Sequence, residues 1–254
     1  RHAQSLMKLQ DPQSQKDLQQ ARLFAAAGRP EEAVAIFERL FGNAPPDFAT
    51  ALEYLRIRSN IQGQRAQVIE QLRSLDKQYP GNPGLRQTLA DLLFREDRAP
   101  EALIVLQQLA KDPVASNAAA EREYTYLSTL PVDRTSAQAW QGFIARYPNS
   151  PLIGEANKNL QKQQSLLNDP AWTAGAQGKQ MIDQSRSPAA AEGLLRRALK
   201  QYPDDPTLYG ALGMAQFRQG RYAEANSNFA TARSKEQDTS NISKWQDLMD
   251  ASRY

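Results

Sequence analysis

Apolar residues along the chain recur every three or four positions, which is the spacing of one face of an α-helix. Ala33 and Phe37 follow this spacing in the first part of the chain, and Ala102, Leu106 and Leu109 follow it further along. β-Branched residues are sparse and never alternate with polar residues over the length of a strand. Ala, Leu, Glu, Arg and Gln, which all favour helix, are abundant. The pattern predicts an all-α protein.

The helical pattern itself repeats. Sixty-eight residues, or twice 34, separate the pair Tyr79-Pro80 from the pair Tyr147-Pro148, and a third pair stands at Tyr202-Pro203. Thirty-four residues is the period of the tetratricopeptide repeat, a helix–turn–helix unit. The chain therefore resembles a tetratricopeptide-repeat array, and this resemblance implies a right-handed superhelical solenoid of stacked helix pairs.

The clearest copy of the repeat runs from Pro206 to about Thr239. Small residues at positions 213 and 225 would allow the two helices of the pair to approach closely. Glycine at position 220 can adopt a positive φ and end the first helix. Eight residues of this copy match the tetratricopeptide pattern at fixed spacing: Tyr209, Leu212, Gly213, Gly220, Tyr222, Ala225, Phe229 and Ala232.

Five further copies follow the same register. They span about residues 14–47, 49–82, 83–113, 117–150 and 172–205. The stretch Pro151–Leu167 is left over, and it predicts one helix without a partner. Because a solenoid depends on alternating first and second helices, this unpaired helix is expected to bend the array of about six helix pairs.

A hinge is expected where the unpaired helix ends. Its residues are Asn168, Asp169 and Pro170, which form a turn, together with Gly175 and Gly178 just beyond. The predicted organisation has five parts. They are a segment over 1–13 that is either an N-terminal helix or foreign to the natural chain, a first array over 14–150, the unpaired helix and hinge over 151–171, a second array over 172–239, and a C-terminal helix over 240–254 that starts a further repeat.

Composition and charge narrow the chemistry. The 254 residues include no cysteine, and the single histidine is His2, so thiol nucleophiles, cysteine-ligated metals and histidine triads are not expected. The net charge of +3 is too weak to favour nucleic-acid binding. No apolar run exceeds five residues, so this segment is not expected to insert in a membrane. Residues 1–12 lack the apolar core of a signal peptide, which predicts a piece of a longer protein.

No catalytic, cofactor-binding or metal-ligating residues are predicted. The patterns G-x-x-x-x-G-K-[ST], G-x-G-x-x-G and G-x-S-x-G do not occur in the sequence. A glycosidase needs only two carboxylates, so residue types alone leave that reaction open, but short regular repeats offer no deep enclosed site. The pair Asp204-Asp205 is interpreted as an exposed turn between repeats. The sequence thus favours a protein that is not an enzyme.

In tetratricopeptide arrays the first helix of each pair lines a concave face, and we expect a ligand to bind there. The candidate binding residues on this face are Arg22, Glu53, Ile57, Asn60, Gln87, Asp91, Phe94, Arg95, Glu121, Thr125, Met214, Phe217 and Arg218. Phe94 and Phe217 either stack on a ligand such as a sugar ring or pack against the next helix, and packing is the favoured interpretation. Packing is also favoured for Trp140, Trp172 and Trp245.

Four longer stretches carry a more specific resemblance. They are GRPEEAVAIFERLFGNAPPD over 28–47, LNDPAWTAGAQG over 167–178, YGALGMAQFRQG over 209–220 and SNISKWQDLMDASRY over 240–254. From about residue 18 onward the chain is similar to the C subunit of bacterial cellulose synthase from enterobacteria. This resemblance implies the N-terminal part of a periplasmic repeat region that needs no cofactor, within a longer protein anchored in the outer membrane.

The implied partners are other cellulose synthase subunits, with peptidoglycan or the cellulose chain as further candidate ligands. A scaffold would link the inner-membrane synthase to the outer-membrane pore that exports β-1,4-glucan. A direct glucan- or peptidoglycan-binding conduit is the alternative, and a spacer without a ligand is the third hypothesis. A conduit should present aromatic residues at matching groove positions in successive repeats, yet only two of six repeats have phenylalanine there. The scaffold is therefore preferred.

Overall fold

The computed structural model describes residues 9–42 and 45–252. Within these ranges fourteen helices have both ends defined, and no strand occurs. Seven of them carry proline at their first or second position, where the missing N–H has no helical partner. The helices are α1 (Pro12–Ala26), α2 (Pro30–Phe41), α3 (Phe48–Arg58), α4 (Arg65–Gln78), α5 (Pro83–Arg95), α6 (Ala99–Leu109), α7 (Ser116–Thr129), α8 (Arg134–Arg146), α9 (Ile153–Leu167), α10 (Pro170–Asp183), α11 (Pro188–Gln201), α12 (Pro206–Phe217), α13 (Tyr222–Lys235) and α14 (Thr239–Ala251).

The predicted all-α tetratricopeptide architecture is confirmed. The helices follow one another as six pairs, α1/α2, α3/α4, α5/α6, α7/α8, α10/α11 and α12/α13, with α9 left over between the fourth and fifth pairs and α14 after the last. The chain separates into two compact units, Arg1–Leu130 with Trp140–Ala156, and Pro131–Ala139 with Asn157–Tyr254. The bend at α9 and the domain boundaries stay predictions, and the segment 1–13 lies mostly outside the described residues.

One backbone turn joins the two helices in four of the pairs. In each case an N–H donates to the carbonyl oxygen five residues earlier, and the residue before the donor has a positive φ, which is the Schellman motif. The bonds are Arg29 to Phe24 at 2.9 Å, Arg98 to Leu93 at 2.9 Å, Arg186 to Met181 at 2.8 Å and Arg221 to Gln216 at 3.0 Å. The φ of 75° at Gly220 confirms its predicted role in ending the first helix of its pair.

Two of the three Tyr-Pro motifs, at residues 79–80 and 202–203, form the turn that leads from one pair to the next. Tyr202 follows the last residue of α11, and Asp205 caps α12. The Asp205 carboxylate accepts hydrogen bonds from the backbone N–H groups of Thr207 at 2.8 Å and Leu208 at 3.3 Å. Asn82 caps α5 in the same way after the first Tyr-Pro pair. Because a side-chain cap satisfies N–H groups that have no helical partner, these residues fix where the next pair begins.

An aromatic cluster fills the core of the first unit near α7 and α8. Trp140, Phe143 and Tyr147 are almost wholly buried, and the Tyr124 ring lies 5.1 Å from that of Trp140 in an edge-on geometry. The Tyr147 hydroxyl donates to the buried Glu123 carboxylate at 3.0 Å. Burial and the nearby Glu123 charge raise the pKa of Tyr147 above its ordinary value. The core role predicted for Trp140 is confirmed.

Glycines set the distances between helices in the second unit. A Cβ at Gly213 in α12 would lie 2.7 Å from the Phe229 ring and 3.1 Å from the carbonyl oxygen of Ala225 in α13. A Cβ at Gly210 would overlap the ring of Trp245 in α14. The close approach predicted at positions 213 and 225 is therefore confirmed, and Trp245 packs in the core as expected.

Gly175 and Gly178, which are expected to loosen a hinge, lie inside the continuous helix α10 and are buried. A Cβ at Gly175 would lie 2.9 Å from Leu208 Cδ2, and one at Gly178 would lie 2.8 Å from Leu195 Cγ. Both glycines therefore have a packing role, because only a residue without a side chain allows α11 and α12 to lie this close to α10. The hinge stays a prediction.

The junction between α9 and α10 is short and is held by several hydrogen bonds to the side chain of Asp169. Asp169 caps α10 by accepting the backbone N–H of Ala171 at 2.8 Å. The same carboxylate accepts the Tyr202 hydroxyl and, at 3.0 Å, the Gln201 side-chain amide. These bonds, that of Tyr202 foremost, hold the pKa of Asp169 below its ordinary value. The turn predicted at Asn168, Asp169 and Pro170 is therefore tied to the end of α11.

A largely buried carboxylate connects the last two pairs. Glu192 in α11 has a side chain that is 12% exposed and pairs with Arg221 at the start of α13. It also accepts the Gln219 amide at 3.1 Å and lies 2.9 Å from Arg196 Nη2. These donors, with Arg221 first, lower the pKa of Glu192 to about 2.

Replacing Gly213 by alanine is expected to lower the free energy of unfolding by about 1–3 kcal/mol, because the added methyl collides with the buried Phe229 ring. Gly193→Ala is the matched control, since no atom lies within 4 Å of the added Cβ. It is expected to raise the free energy of unfolding by about 0.5–1 kcal/mol. Urea unfolding followed by circular dichroism measures both variants. Equal effects would contradict the packing role of Gly213.

Because the pKa of Glu192 is lowered in the folded state, its bonds stabilise the second unit above pH 4.5, and that stability is lost as the pH falls toward 2. Glu192→Gln is expected to cost about 1–3 kcal/mol at neutral pH and to flatten the pH dependence in that window. Thermal unfolding at a series of pH values measures it. Glu121→Gln, which removes an exposed carboxylate, is the control. An unchanged slope for the Glu192 variant would reject the assignment.

Candidate functional site

Seven of the thirteen predicted concave-face residues line two adjoining cavities in the first unit. The larger cavity has a volume of about 750 Å³ and the smaller one of about 280 Å³. Both are lined by Asp91, Arg95 and Arg122, and together they are named the central groove. Helices α3, α5 and α7, the first helices of three successive pairs, supply most of the lining. The seven predicted residues are Asn60, Gln87, Asp91, Phe94, Arg95, Glu121 and Thr125.

The larger cavity has an aromatic surface between α5 and α7. The rings of Phe94 and Tyr126 lie 5.1 Å apart with their planes tilted by 32°. Both residues are partly exposed and line the cavity. The Thr125 hydroxyl donates to the Glu121 carbonyl oxygen at 2.8 Å, so its own oxygen is left as an acceptor. Phe94 thus packs on the next helix, as favoured, and still presents apolar surface to the groove.

The smaller cavity is walled by polar side chains. Arg56 donates to the Thr88 hydroxyl at 2.9 Å and to the Gly84 carbonyl oxygen at 3.0 Å. Arg95 donates to the Asn60 side-chain oxygen over a long 3.4 Å. Both guanidinium groups are therefore bonded to neutral acceptors, and their positive charge is not neutralised by these partners.

Charge is distributed unevenly along the central groove. Arg122 and Asp91 form a two-point ion pair with distances of 2.6 and 3.1 Å, so their charges cancel locally. Among the described residues, neither Arg56 nor Arg95 lies within ion-pair distance of a carboxylate. Glu121 has no cation partner in the same ranges. Arg56 lines only the smaller cavity and Glu121 only the larger one.

Three predicted residues near the N-terminus lie outside the groove. Arg22 and Glu53 bind each other across α1 and α3, with distances of 2.7 and 2.9 Å. This hydrogen bond raises the pKa of Arg22. Ile57 is 8% exposed and belongs to the aliphatic core. The structure therefore places Ile57 in the core and not on the open face expected for it.

The predicted residues of α12 also serve packing. Met214 and Phe217 are packed against the core of the second unit, and the Phe217 ring lies 5.2 Å from that of Tyr222. The favoured packing interpretation of Phe217 therefore agrees with the structure. Arg218, just after α12, donates to the backbone carbonyl oxygen of Ile182.

Four residues that line the central groove were not predicted from the sequence, namely Arg56, Asp97, Arg122 and Tyr126. The spacing of charged residues along the sequence could have identified Arg122. The Asp91–Arg122 pair has the same separation of 31 residues as the Arg22–Glu53 pair. Opposite charges at this separation on two successive first helices predict an ion pair across the repeat. Tyr126 has no such signal, because which helix face a tyrosine occupies depends on packing.

The groove is suited to non-covalent binding. In the ranges 9–42 and 45–252 no three His, Cys, Asp or Glu side chains are placed so as to hold a metal ion. The described helices are likewise all too short or too polar to span a bilayer. Among the described residues the groove offers an aromatic surface, planar polar side chains and unneutralised charges of both signs, which are the features that non-covalent recognition uses.

Comparisons with known proteins indicate the family to which the chain is related. The tetratricopeptide-repeat family model matches residues 18–55 and 182–235. Cellulose synthase operon protein C of Escherichia coli (strain K12) is 35% identical over 252 residues, an alignment that covers 99% of this chain and 22% of that protein. The protein of the same name from Salmonella typhimurium is 32% identical, with coverage of 99% and 21%. The chain thus spans about a fifth of the length of these relatives.

A solved structure agrees in sequence and in fold. The crystal structure of the flexible tandem repeat domain of the bacterial cellulose synthase C subunit is 36% identical and superposes with a TM-score of 0.59. The match covers 65% of this chain and 68% of that one. The resemblance drawn from the four sequence stretches is confirmed. The chain therefore belongs to the tetratricopeptide-repeat family of the C subunit of bacterial cellulose synthase.

Proposed function

We propose that the chain is a non-catalytic periplasmic scaffold of the cellulose synthase complex. It binds other synthase subunits and helps to link the inner-membrane synthase to the outer-membrane pore that exports the β-1,4-glucan. The complete protein is anchored in the outer membrane, and this segment lies outside the bilayer. The observation that carries the proposal is the open groove on three successive first helices, in a chain related to the C subunit of cellulose synthase.

The composition of the groove supports a protein partner. Its lining combines one aromatic pair, Phe94 and Tyr126, with arginine and carboxylate side chains, and aromatic and arginine residues are enriched at protein interfaces. The side chains that tie one first helix to the next are also charged, as in the Arg22–Glu53 pair. A groove open to solvent does not exclude water from a reaction, so binding without catalysis is the function it favours.

A direct glucan- or peptidoglycan-binding conduit is the second candidate. It is favoured by the Phe94–Tyr126 pair, because aromatic rings stack on sugar rings, and by the planar amides of Asn60 and Gln87 nearby. Against it, Phe94 and Tyr126 are, among the described residues, the only aromatic side chains that line the two cavities of the central groove. A chain-long conduit needs such platforms in successive repeats, so the scaffold is preferred.

The immobilised chain is expected to capture a cellulose synthase subunit from the envelope extract of a cellulose-producing bacterium. Mass spectrometry identifies what is captured. Arg95→Gln is expected to reduce the captured amount several-fold, since Arg95 lines both cavities. Arg197→Gln, the same substitution at an exposed position of α11, is the matched control. Capture of no synthase subunit by the unaltered chain would contradict the scaffold.

The conduit is tested with glycans. Cello-oligosaccharides at millimolar concentration are expected to leave the backbone NMR signals around Phe94 and Tyr126 unchanged, because one aromatic pair is a weak platform. Sedimentation with insoluble cellulose and with peptidoglycan is expected to leave the chain in the supernatant. Saturable shifts at these two residues, lost in Tyr126→Ala and kept in Tyr222→Ala, would instead establish sugar binding in the groove.

A further inference from the structure

We infer that α3 and α4 form a second binding site, separate from the central groove, which holds an acidic side chain and an adjoining aliphatic side chain on the surface of a partner protein. The choice of a protein as the ligand rests on the proposed scaffold function, whereas the site itself does not. Two features carry the inference, namely an arginine that is held by amides alone and a small apolar cavity beside it. The pair is named the Arg58 site.

Arg58, the last residue of α3, is held by three glutamine side chains at the start of α4. Its Nε donates to the side-chain oxygen of Gln64 at 2.5 Å, its Nη2 to that of Gln67 at 2.8 Å, and its Nη1 to that of Gln71 at 3.2 Å. The guanidinium also lies over the Tyr54 ring, 5.8 Å from its centre. Because the group is half-buried and already fixed in position, an incoming anion does not have to order it.

No carboxylate of the described residues lies within ion-pair distance of Arg58. Glu38 accepts the Tyr54 hydroxyl at 2.9 Å instead. The first turn of α4 contains no acidic residue. The charge of Arg58 is therefore left for a ligand. In contrast, seven other arginines of the first unit each pair with a carboxylate of a different helix or turn, namely Arg22, Arg39, Arg65, Arg73, Arg86, Arg122 and Arg146.

The three glutamines surround this charge with hydrogen-bond donors. A guanidinium group only donates, so each glutamine turns its oxygen toward Arg58 and its NH2 group away from it. In the described part of the chain none of these NH2 groups has an acceptor, and the Nη1 and Nη2 of Arg58 each keep one N–H without an acceptor. A ligand thus meets only donors and a positive charge. This combination selects a carboxylate, which only accepts.

A small apolar cavity adjoins the amides. It has a volume of about 160 Å³, and its apolar lining comes from Pro45, Ala51, Leu55 and Leu75. Gln71 lines the cavity as well, so one of the amides that bond Arg58 also borders the apolar surface. An aliphatic group in the cavity therefore lies one side chain away from the guanidinium. Its removal from water adds to the binding of the anion.

The Arg58 site and the central groove lie on different faces of α3. Arg56 lines the smaller cavity of the groove. Positions 56 and 58 are about 200° apart around a helix of 3.6 residues per turn, so Arg58 lies on the other side of α3. The cavity beside Arg58 shares no described lining residue with the two cavities of the groove. Different substitutions therefore test the two sites.

The size of the cavity favours a protein over a free small molecule. Small-molecule sites have volumes of roughly 300–1,000 Å³, whereas this cavity has room for little more than one aliphatic side chain. A lipid chain would leave most of its length in water. Gln78 also lines the cavity, and the next residue, Tyr79, is 46% exposed with its ring 4.9 Å from that of Phe48. A small pocket beside an exposed tyrosine is typical of a protein interface.

The site is tested with isocaproate, which joins a carboxylate to an aliphatic group of the size of a leucine side chain. NMR of the 254-residue chain at low salt follows the backbone signals of Gln71 and Ser74 and the side-chain NH2 signals of the glutamines. Isocaproate is expected to bind about tenfold more tightly than acetate, which lacks the aliphatic group, and than isocaproamide, which lacks the charge. Equal affinities for the three, or no saturable shift at millimolar concentration, overturns the site.

The substitution Gln67→Glu assigns the binding to Arg58. The new carboxylate has the size of the amide that it replaces, and it pairs with Arg58 in place of the ligand. It is expected to weaken isocaproate binding about three- to tenfold. The urea midpoint is expected to stay the same or rise, so the loss does not come from misfolding. Gln180→Glu, at an exposed position of α10, is the control. Unchanged binding in the Gln67 variant, or an equal loss in both variants, overturns the assignment.

The source of the ligand is tested by capture from envelope extract. Gln67→Glu is expected to capture several-fold less of a synthase subunit than the unaltered chain, and Gln180→Glu as much. Undiminished capture by the Gln67 variant keeps the scaffold but overturns a protein as the ligand of this site. Capture of no subunit by the unaltered chain contradicts the scaffold, and the isocaproate titration then still decides whether the site exists.

A lipid is the remaining alternative to a protein. Vesicles of phosphatidylcholine and phosphatidylglycerol in equal parts are expected to leave the chain in the supernatant when they are sedimented. Co-sedimentation of the unaltered chain that is lost in Gln67→Glu and kept in Gln180→Glu would assign the Arg58 site to an anionic lipid and overturn the protein.

Discussion

The structure depends on the short distance between the two helices of each pair. In the last pair this distance requires glycine at position 213, since any side chain there would meet the Phe229 ring. Gly178 serves the same purpose against Leu195. Packing of one face of a first helix against its partner leaves the opposite face to neighbouring repeats and solvent. In α5 and α7 this opposite face supplies most of the side chains that line the central groove.

The polar side chains on that surface either tie neighbouring helices together or remain free for a ligand. Arg22 with Glu53, and Arg122 with Asp91, connect successive first helices and neutralise each other. Arg56 occupies a similar place but meets only neutral oxygen atoms of α5. The charge of the groove thus arises where the series of cross-repeat ion pairs is interrupted.

The sequence predicts what depends on spacing and backbone conformation, and it fails where side-chain orientation decides. The 34-residue period, the turn at Gly220 and the close contact at Gly213 follow from residue type and position. The sequence places Ile57 on the concave face, whereas the structure packs it in the aliphatic core, because the burial of a helical side chain depends on what packs against it. Gly175 and Gly178 suggest flexibility because sequence alone does not show what lies against a glycine. The structure shows Leu208 and Leu195 there.

Glutamate residues therefore have different roles in the two units. Glu192 is surrounded by Arg221, Arg196 and Gln219, and its charge is used within the fold, which links that unit's stability to pH. Glu121 is an exposed glutamate on a first helix with no such donors among the described residues, so its charge is available to a ligand. A count of charged residues does not distinguish the two. The partners of each charge do, and in the described part of the chain they set the central groove apart as the candidate binding surface.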